Sequence, residues 1–335
     1  MHVCKKLLNG LLKHLSMTED YTLQKRFDFI GNDVLEPTFT YAGAVLNVLA
    51  FFIWMFGPKS KSLCCATYFA ANAVADFLLL TMQPIFFGRW LIDIPIRKTD
   101  ITCKLFWSLC DSFLQVSTWL SATITVERTL TIILPFVFKS QDMSKRSKYI
   151  VSTIIIVQPF TQIAKLIYVE SMPNNCIIKD ARLSDSLHSC LAIAVPFLVI
   201  ITFNLATITA LCRNRFRRHT VSGNRDHVHV FTRITILTGV SFVVSYSLRL
   251  AISVYFTLDL ELDWFVYIAW PLVDAMIYFN SCMNPIICFV VCKSIHDDMK
   301  TFLKAVIRTV RRPCATKRSI QESGTTNVAQ AENAV

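Results

Sequence analysis

Nine polar residues stand where polar residues are most expensive. Asn47, Asp76, Asp111, Ser117, Arg128, Arg249, Asp274, Asn280 and Asn284 each interrupt a long apolar stretch of a 335-residue chain. A charge held at mid-bilayer costs about 2.5–3.5 kcal/mol on insertion scales, so such residues persist where they pair, line a wet space or hold an ion. The chemistry they offer is exchange of hydrogen bonds and charge rather than bond breaking. The His residues fall in loops, termini or span ends, and the sequence has no phosphate loop or metal-ligand spacing, so no enzymatic activity is expected. The densest cluster is Asn280-Ser281-Cys282-Met283-Asn284-Pro285-Ile286-Ile287-Cys288, which sets two amides, a hydroxyl and a proline inside the otherwise apolar run 264–292. A proline there frees a backbone carbonyl, which in hydrocarbon must be met by a neighbouring helix, a side chain or trapped water.

The elements that carry these residues follow from composition. Hydrophobic residues make up 53% of the chain and charged residues only 17%, a balance unsuited to the surface of a soluble domain of this size. A span needs about 20 mainly apolar residues, and seven stretches qualify, at about 38–56, 64–87, 101–134, 149–169, 187–212, 231–257 and 264–292. The expected fold is an all-α membrane protein, a seven-transmembrane helix bundle over 37–292. Beyond it, Ile295, Met299, Phe302, Leu303, Val306, Ile307 and Val310 recur at three- and four-residue spacing, with Lys300, Lys304 and Arg308 interleaved. That pattern predicts a short amphipathic eighth helix over 293–312, lying on membrane lipids. Residues 313–335, polar and without aromatics, are expected to be disordered.

The net charge of +11 could suggest nucleic acid, but the cations gather in alternate connections. Lys59 and Lys61 follow span one; Lys139, Lys145, Arg146 and Lys148 follow span three; Arg213, Arg215, Arg217, Arg218 and Arg225 follow span five. Such connections face the cytoplasm, and no nucleic-acid partner is expected. The last connection on the other side holds Asp259, Glu261 and Asp263 without a base. This places segment 1–36 outside and the carboxyl terminus in the cytoplasm, in a multi-pass protein of the plasma membrane. The run Leu7–Leu15 is broken by Asn9, Gly10, Lys13 and His14, which argues against a cleavable signal. Asn-x-Ser/Thr sequons are absent, and so is an internal repeat of the kind that builds transporters from duplicated halves.

Taken in order, the residues form a recognisable set. Asn47 lies in span one; Ala75-Asp76 and Pro84 in span two; Cys103 opens span three, with Glu127-Arg128-Thr129 at its inner end; Pro196 lies in span five and Asn284-Pro285 in span seven. Cys103 and Arg128 are 25 residues apart, about 38 Å of helix. Over roughly residues 36–310 the chain resembles the rhodopsin-like (class A) G-protein-coupled receptors, with the character of peptide and neuropeptide receptors. The resemblance implies a disulfide between Cys103 and Cys176, tying the second outer loop over a ligand pocket. It implies a sodium and water pocket built from Asn47, Asp76, Ser117, Asn280, Ser281 and Asn284, a set of hard oxygen ligands suited to a small hard cation. It also implies a G-protein switch made of Glu127, Arg128, Asn284 and Pro285, with Glu127 holding Arg128 at rest. The usual acid at the inner end of span six is missing: Val228, His229 and Val230 are there, with Asp226 upstream.

Other positions leave the family pattern. Span six has Phe242-Val243-Val244-Ser245-Tyr246-Ser247-Leu248 where the family has an aromatic followed by Cys-Trp-x-Pro, so both tryptophan and proline are gone. Cys288 replaces the closing tyrosine of span seven, Asn204 replaces the inner tyrosine of span five, and span four lacks its usual tryptophan. The position that holds an aspartate in amine receptors is Cys110, and Asp111 follows it, about 100° round the helix. Asp111, Gln115, Arg249 and Asp274 are the candidate ligand-binding residues. Arg249 lies about 12 Å below the outer end of span six; an ion pair with Asp274 and a site for a ligand carboxylate both remain open. Cys314, beyond a basic cluster, is a candidate for lipidation.

The reading is a receptor for an extracellular peptide that signals to a heterotrimeric G protein. The alternatives are a receptor for an anionic or amine small molecule, a signalling-silent decoy, and an ion channel or transporter.

Overall fold

The structure is a computed structural model, and it describes residues 25–26, 29–61, 63, 65–86, 100–134, 140–163, 169–172, 175–178, 189–217, 225–257, 263–305 and 307. Most of the expected segment 1–36, the tail 313–335 and Cys314 lie outside the described residues. Seven long helices follow one another: α1 (Glu36–Phe56), α2 (Ala66–Phe86), α3 (Asp100–Ile133), α4 (Ser140–Thr161), α5 (Val195–Arg217), α6 (Arg225–Thr257) and α7 (Asp263–Val291). After a break at Cys292, α8 runs over 293–305. Wider π-helical turns lead into α1 (Phe29–Leu35) and α5 (Cys190–Ala194).

Two features differ from the sequence expectation. Helix α4 begins at Ser140 rather than near residue 149, because the polar run Ser140–Lys148 continues the helix past its apolar part. Val169, expected at the end of span four, lies instead in a strand, β1 (Val169–Met172), which pairs antiparallel with β2 (Asn175–Ile178). This hairpin packs on α3 and marks one end of the bundle; α8 marks the other.

Helix α3 is the axle of the bundle, in contact with α2, α4, α5 and α6, while α7 packs on α1, α2 and α6. Among the described residues, four segments are long and apolar enough by themselves to cross a membrane: Phe29–Phe56, Cys190–Arg213, Val230–Tyr255 and Ala269–Val291. Ala66–Met82 is a shorter apolar helix. Helices α3 and α4 are less apolar because they carry more polar residues, among them Glu127 and Arg146, which pair with each other. Two apolar cores result. One, toward α8, joins Trp54, Tyr68, Leu120, Ile124, Phe231 and Ile287; the other, toward the hairpin, joins Leu79, Leu114, Phe242, Tyr246 and Tyr278. Asp76, Ser117 and Asn284 fall between them along α2, α3 and α7.

Candidate functional site in the bundle core

Asp76 is completely buried, and three helices converge on its carboxylate. Oδ1 accepts a hydrogen bond from Ser117 Oγ at 2.6 Å; Oδ2 accepts from Asn72 Nδ2 at 2.7 Å and from Asn284 Nδ2 at 3.0 Å. Hydrogen bonds to a charged group each contribute about 1.5–3 kcal/mol, and together they offset a burial penalty of several kcal/mol for the ion. Asn72 was not among the sequence candidates. Its signal was present all the same: it lies four residues before Asp76, hence on the same helix face. Asn47 of α1 joins the layer through backbone, donating from Nδ2 to the carbonyls of Gly43 at 2.9 Å and Ser281 at 3.0 Å.

Asn47 Oδ1 and Asn280 Oδ1 are buried and have no hydrogen-bond partner among the described residues. Beside this layer, a cavity of about 10 Å³ is bordered by Asn47, Asn72, Asn284 and Pro285 and by the apolar residues Ala50, Trp54, Phe69, Ala73 and Cys288, with room for about one water molecule. A buried carboxylate and unsatisfied amide oxygens are the donor chemistry that a small hard cation or an ordered water requires. The residues present therefore fit such an occupant.

Toward α8, Glu127 and Arg128 part company. One oxygen of Glu127 accepts from Arg146 Nε at 3.1 Å and from Arg146 Nη2 at 3.0 Å, so its cation comes from α4. The guanidinium of Arg128 lies over the ring of Phe231 in α6, 5.1 Å from its centroid. Where the resemblance implied a Glu127–Arg128 pair, the contacts seen here are Glu127 with Arg146 and Arg128 with Phe231. Adjacent helical residues point in different directions and do not face each other, and the early start of α4 brings Arg146 within reach of Glu127. Below them, Thr129 Oγ1 donates to the Phe203 carbonyl at 3.1 Å and lies 2.7 Å from Thr207 Oγ1, fastening α3 to α5.

Toward the hairpin, the candidate ligand residues do not behave as one group. Arg249 lays its guanidinium on the Trp270 ring, 4.5 Å from the centroid, and so meets α7 one turn before Asp274. Asp111 and Asp274 are half-buried on α3 and α7. Gln115, 1% exposed, accepts from Thr161 Oγ1 of α4, so its amide faces the α3–α4 seam. Cys103 sits in the first turn of α3 and Cys176 in β2, paired in register with Ser171. Their side chains lie outside the described residues.

The family model for the 7 transmembrane receptor (rhodopsin family) matches residues 46–288, a stretch that contains the polar layer, the Glu127-Arg128 end and Arg249. The chain is a rhodopsin-family seven-transmembrane receptor. It is also similar to G-protein coupled receptor 87 of Mus musculus, 23% identical over 325 residues that cover 90% of this chain and 87% of the relative. The family is one of receptors, and the chain is a multi-pass membrane protein.

Where this receptor departs from the family pattern, the structure shows what the replacements do. Tyr246 is buried and stacks on Phe242, ring centroids 4.4 Å apart, so an aromatic pair persists without the tryptophan. Cys288 fills a buried apolar site in the core toward α8. Asn204 nests against Gly239 of α6, where a Cβ would collide with the Asn204 amide. With glycine there, α5 and α6 approach closely at the position where the family has a tyrosine.

Proposed function

We propose that this G-protein-coupled receptor is activated by an extracellular peptide and passes the signal to a heterotrimeric G protein in the cytoplasm. The hairpin end of the bundle then faces outward and the α8 end inward, in the plasma membrane, as the alternation of basic connections supports. The observation that carries the ligand reading is Arg249 stacked on Trp270. Face-on contact with an indole leaves the N–H donors of a guanidinium directed along its own plane. A carboxylate entering between α3, α6 and α7 can meet that edge, and Asp111 and Asp274 lie at comparable depth, eleven residues along α3 and α7, roughly 16 Å. The disulfide between Cys103 and Cys176 belongs to this reading, holding the hairpin on α3 over the pocket.

Signalling is a shift between two packings of the bundle. In the resting one, Asp76 is shared by α2, α3 and α7. Ligand contact on α6 and α7 favours a packing in which that layer rearranges and Arg128 becomes available to the G protein, with Asn284 and Pro285 allowing α7 to adjust. A sodium ion, if bound, supplies positive charge that favours the resting packing; Asp76 and the oxygens of Ser117, Asn47, Asn280, Ser281 and Asn284 would hold it.

The test is a screen of a peptide library on cells that express the receptor with several promiscuous G proteins. Peptides with a free carboxyl terminus are compared with their amidated forms, and Arg249→Gln serves as control. Nucleotide exchange that depends on the free carboxylate and is lost with Arg249→Gln is the expected result. Exchange unaltered by Arg249→Gln removes the anionic anchor. Binding without exchange for any G protein identifies a signalling-silent receptor.

A further inference from the structure

An ionised carboxylate offers about four lone-pair sites, and protein donors take most of those on Asp76. Oδ1 accepts from the Ser117 hydroxyl, and Oδ2 accepts one N–H each from Asn72 and Asn284. The Ser281 hydroxyl also bears on the same carboxylate. Of these donors Asn72 alone shares a helix with the acid, one turn away, so α2 carries the charge and one of its donors together. We propose that Asn72 decides what the polar layer holds: its N–H takes the place on Asp76 that a cation would need, so the resting layer is completed by a water molecule and is held without sodium. The proposal rests on the reading of this layer as the lock of the resting packing.

A count of protons supports it. Ser117 has one hydroxyl proton; it goes to Asp76 at 2.6 Å and so does not also serve Asn72 Oδ1 at 3.5 Å. Asn47 spends both N–H groups on the carbonyls of Gly43 and Ser281, and its Oδ1 has no donor among the described residues. Two amide oxygens, one on α1 and one on α2, therefore each call for a proton. Asn47 and Asn72 both border the one-water cavity, as does Asn284, whereas Asp76 does not. A water molecule there brings two protons for the two oxygens and accepts from a second amide N–H of Asn72 or Asn284. A cation there has no carboxylate beside it, and closer to Asp76 it meets the positive end of the Asn72 N–H. Because that donor moves with Asp76 on α2, it keeps its place when α3 or α7 shifts.

The experiment uses the full chain in nanodiscs and compares melting across a titration of sodium chloride with melting in choline chloride at equal ionic strength. Asn72→Leu keeps the bulk and removes the amide; Asn72→Ala removes it without adding bulk and carries the test if leucine disturbs the packing. We expect the parent to melt alike in the two salts and both variants to melt higher in sodium chloride. Their sodium affinity should exceed that of the parent about 10- to 150-fold, the equilibrium factor of one hydrogen bond to a charged group. Adding Asp76→Asn to either variant should remove the gain. A parent stabilised by sodium as strongly as the variants overturns the proposal, and so does a set in which no protein responds to sodium. Basal nucleotide exchange on a fused Gα subunit is read in the same samples, where bound sodium should lower it. Sodium-dependent melting of the variants with exchange untouched by sodium supports the role of Asn72 and overturns the reading of the layer as the resting lock instead.

Discussion

Trp119 donates its indole N–H to the backbone carbonyl of Leu191, 3.0 Å away. The reason lies in the π-turn that leads into α5. In that register Val195 N–H reaches back five residues to the Cys190 carbonyl, and the next residue, Pro196, has no N–H to offer Leu191. A side chain on α3 therefore completes the backbone of α5. Replacing Trp119 with Phe keeps the ring and removes the donor, leaving a carbonyl unmet in hydrocarbon. The expected loss is about 1–3 kcal/mol, read as a lower melting temperature of the detergent-solubilised receptor. Melting unchanged from the parent would show that the carbonyl finds another donor.

The Asp76 layer predicts a graded response. Ser117→Ala removes the donor to Oδ1 and leaves two amide donors on Oδ2. It should lower stability by about 1–3 kcal/mol. Asn72→Ala should do the same, although Asn72 has no part in the expected family set. If a cation occupies the layer, the parent melts higher in sodium chloride than in choline chloride, and Asp76→Asn abolishes the difference. Equal melting of the parent in the two salts leaves water as the occupant.

Asp298 attaches α8 to the turn between α1 and α2. It is 4% exposed, and its Oδ2 accepts from Lys59 N at 3.1 Å, Ser60 N at 2.8 Å and Ser60 Oγ at 2.7 Å. Gly57 makes room for it, since a Cβ there would lie 2.6 Å from Asp298 Oδ2 and 2.5 Å from the Ile53 carbonyl. Asp298→Ala should strand these donors at a cost of about 1.5–3 kcal/mol, and Gly57→Ala should act in the same direction. A spin label at Thr301, exposed on α8, should become mobile in both variants. An immobile label in Asp298→Ala would mean that apolar contacts such as Phe52–Phe302 suffice to hold α8.

The neighbouring Lys59–Asp297 pair should matter far less near neutral pH. The hydrogen bond that Lys59 Nζ donates to Asp297 at 2.8 Å holds the Asp297 carboxyl below the usual carboxylate range and the Lys59 ammonium above the usual lysine value. A depressed carboxyl contributes stability that is present above its unfolded value and is lost as pH falls through its folded one. A raised ammonium contributes below its unfolded value and loses that contribution as pH rises through its folded one. The pair is therefore constant between about pH 4 and pH 10, and both groups are exposed enough for solvent to screen it. Asp297→Asn should leave α8 label mobility unchanged at pH 7 and flatten any rise seen at strongly acid pH. A large increase at pH 7 would contradict this.

The sequence by itself determined the membrane class, the number of helices and the need for a polar interior. The reason is solvent: apolar stretches of span length have one stable fate in lipid, and Asp76, Arg128 and Asn284 within them demand partners. Spacing along one helix also carried information, as Asn72 four residues before Asp76 shows. Tertiary structure alone decided which partners answer. Glu127 meets Arg146 because α4 starts early and turns that side toward α3; Gln115 faces Thr161 of α4; Arg249 meets the ring of Trp270, one turn before Asp274; and the ring of Phe231 lies against the Arg128 guanidinium. Each choice depends on the rotation and tilt of two helices relative to each other, and a periodicity read along one chain segment reports its own faces but not the neighbour opposite them.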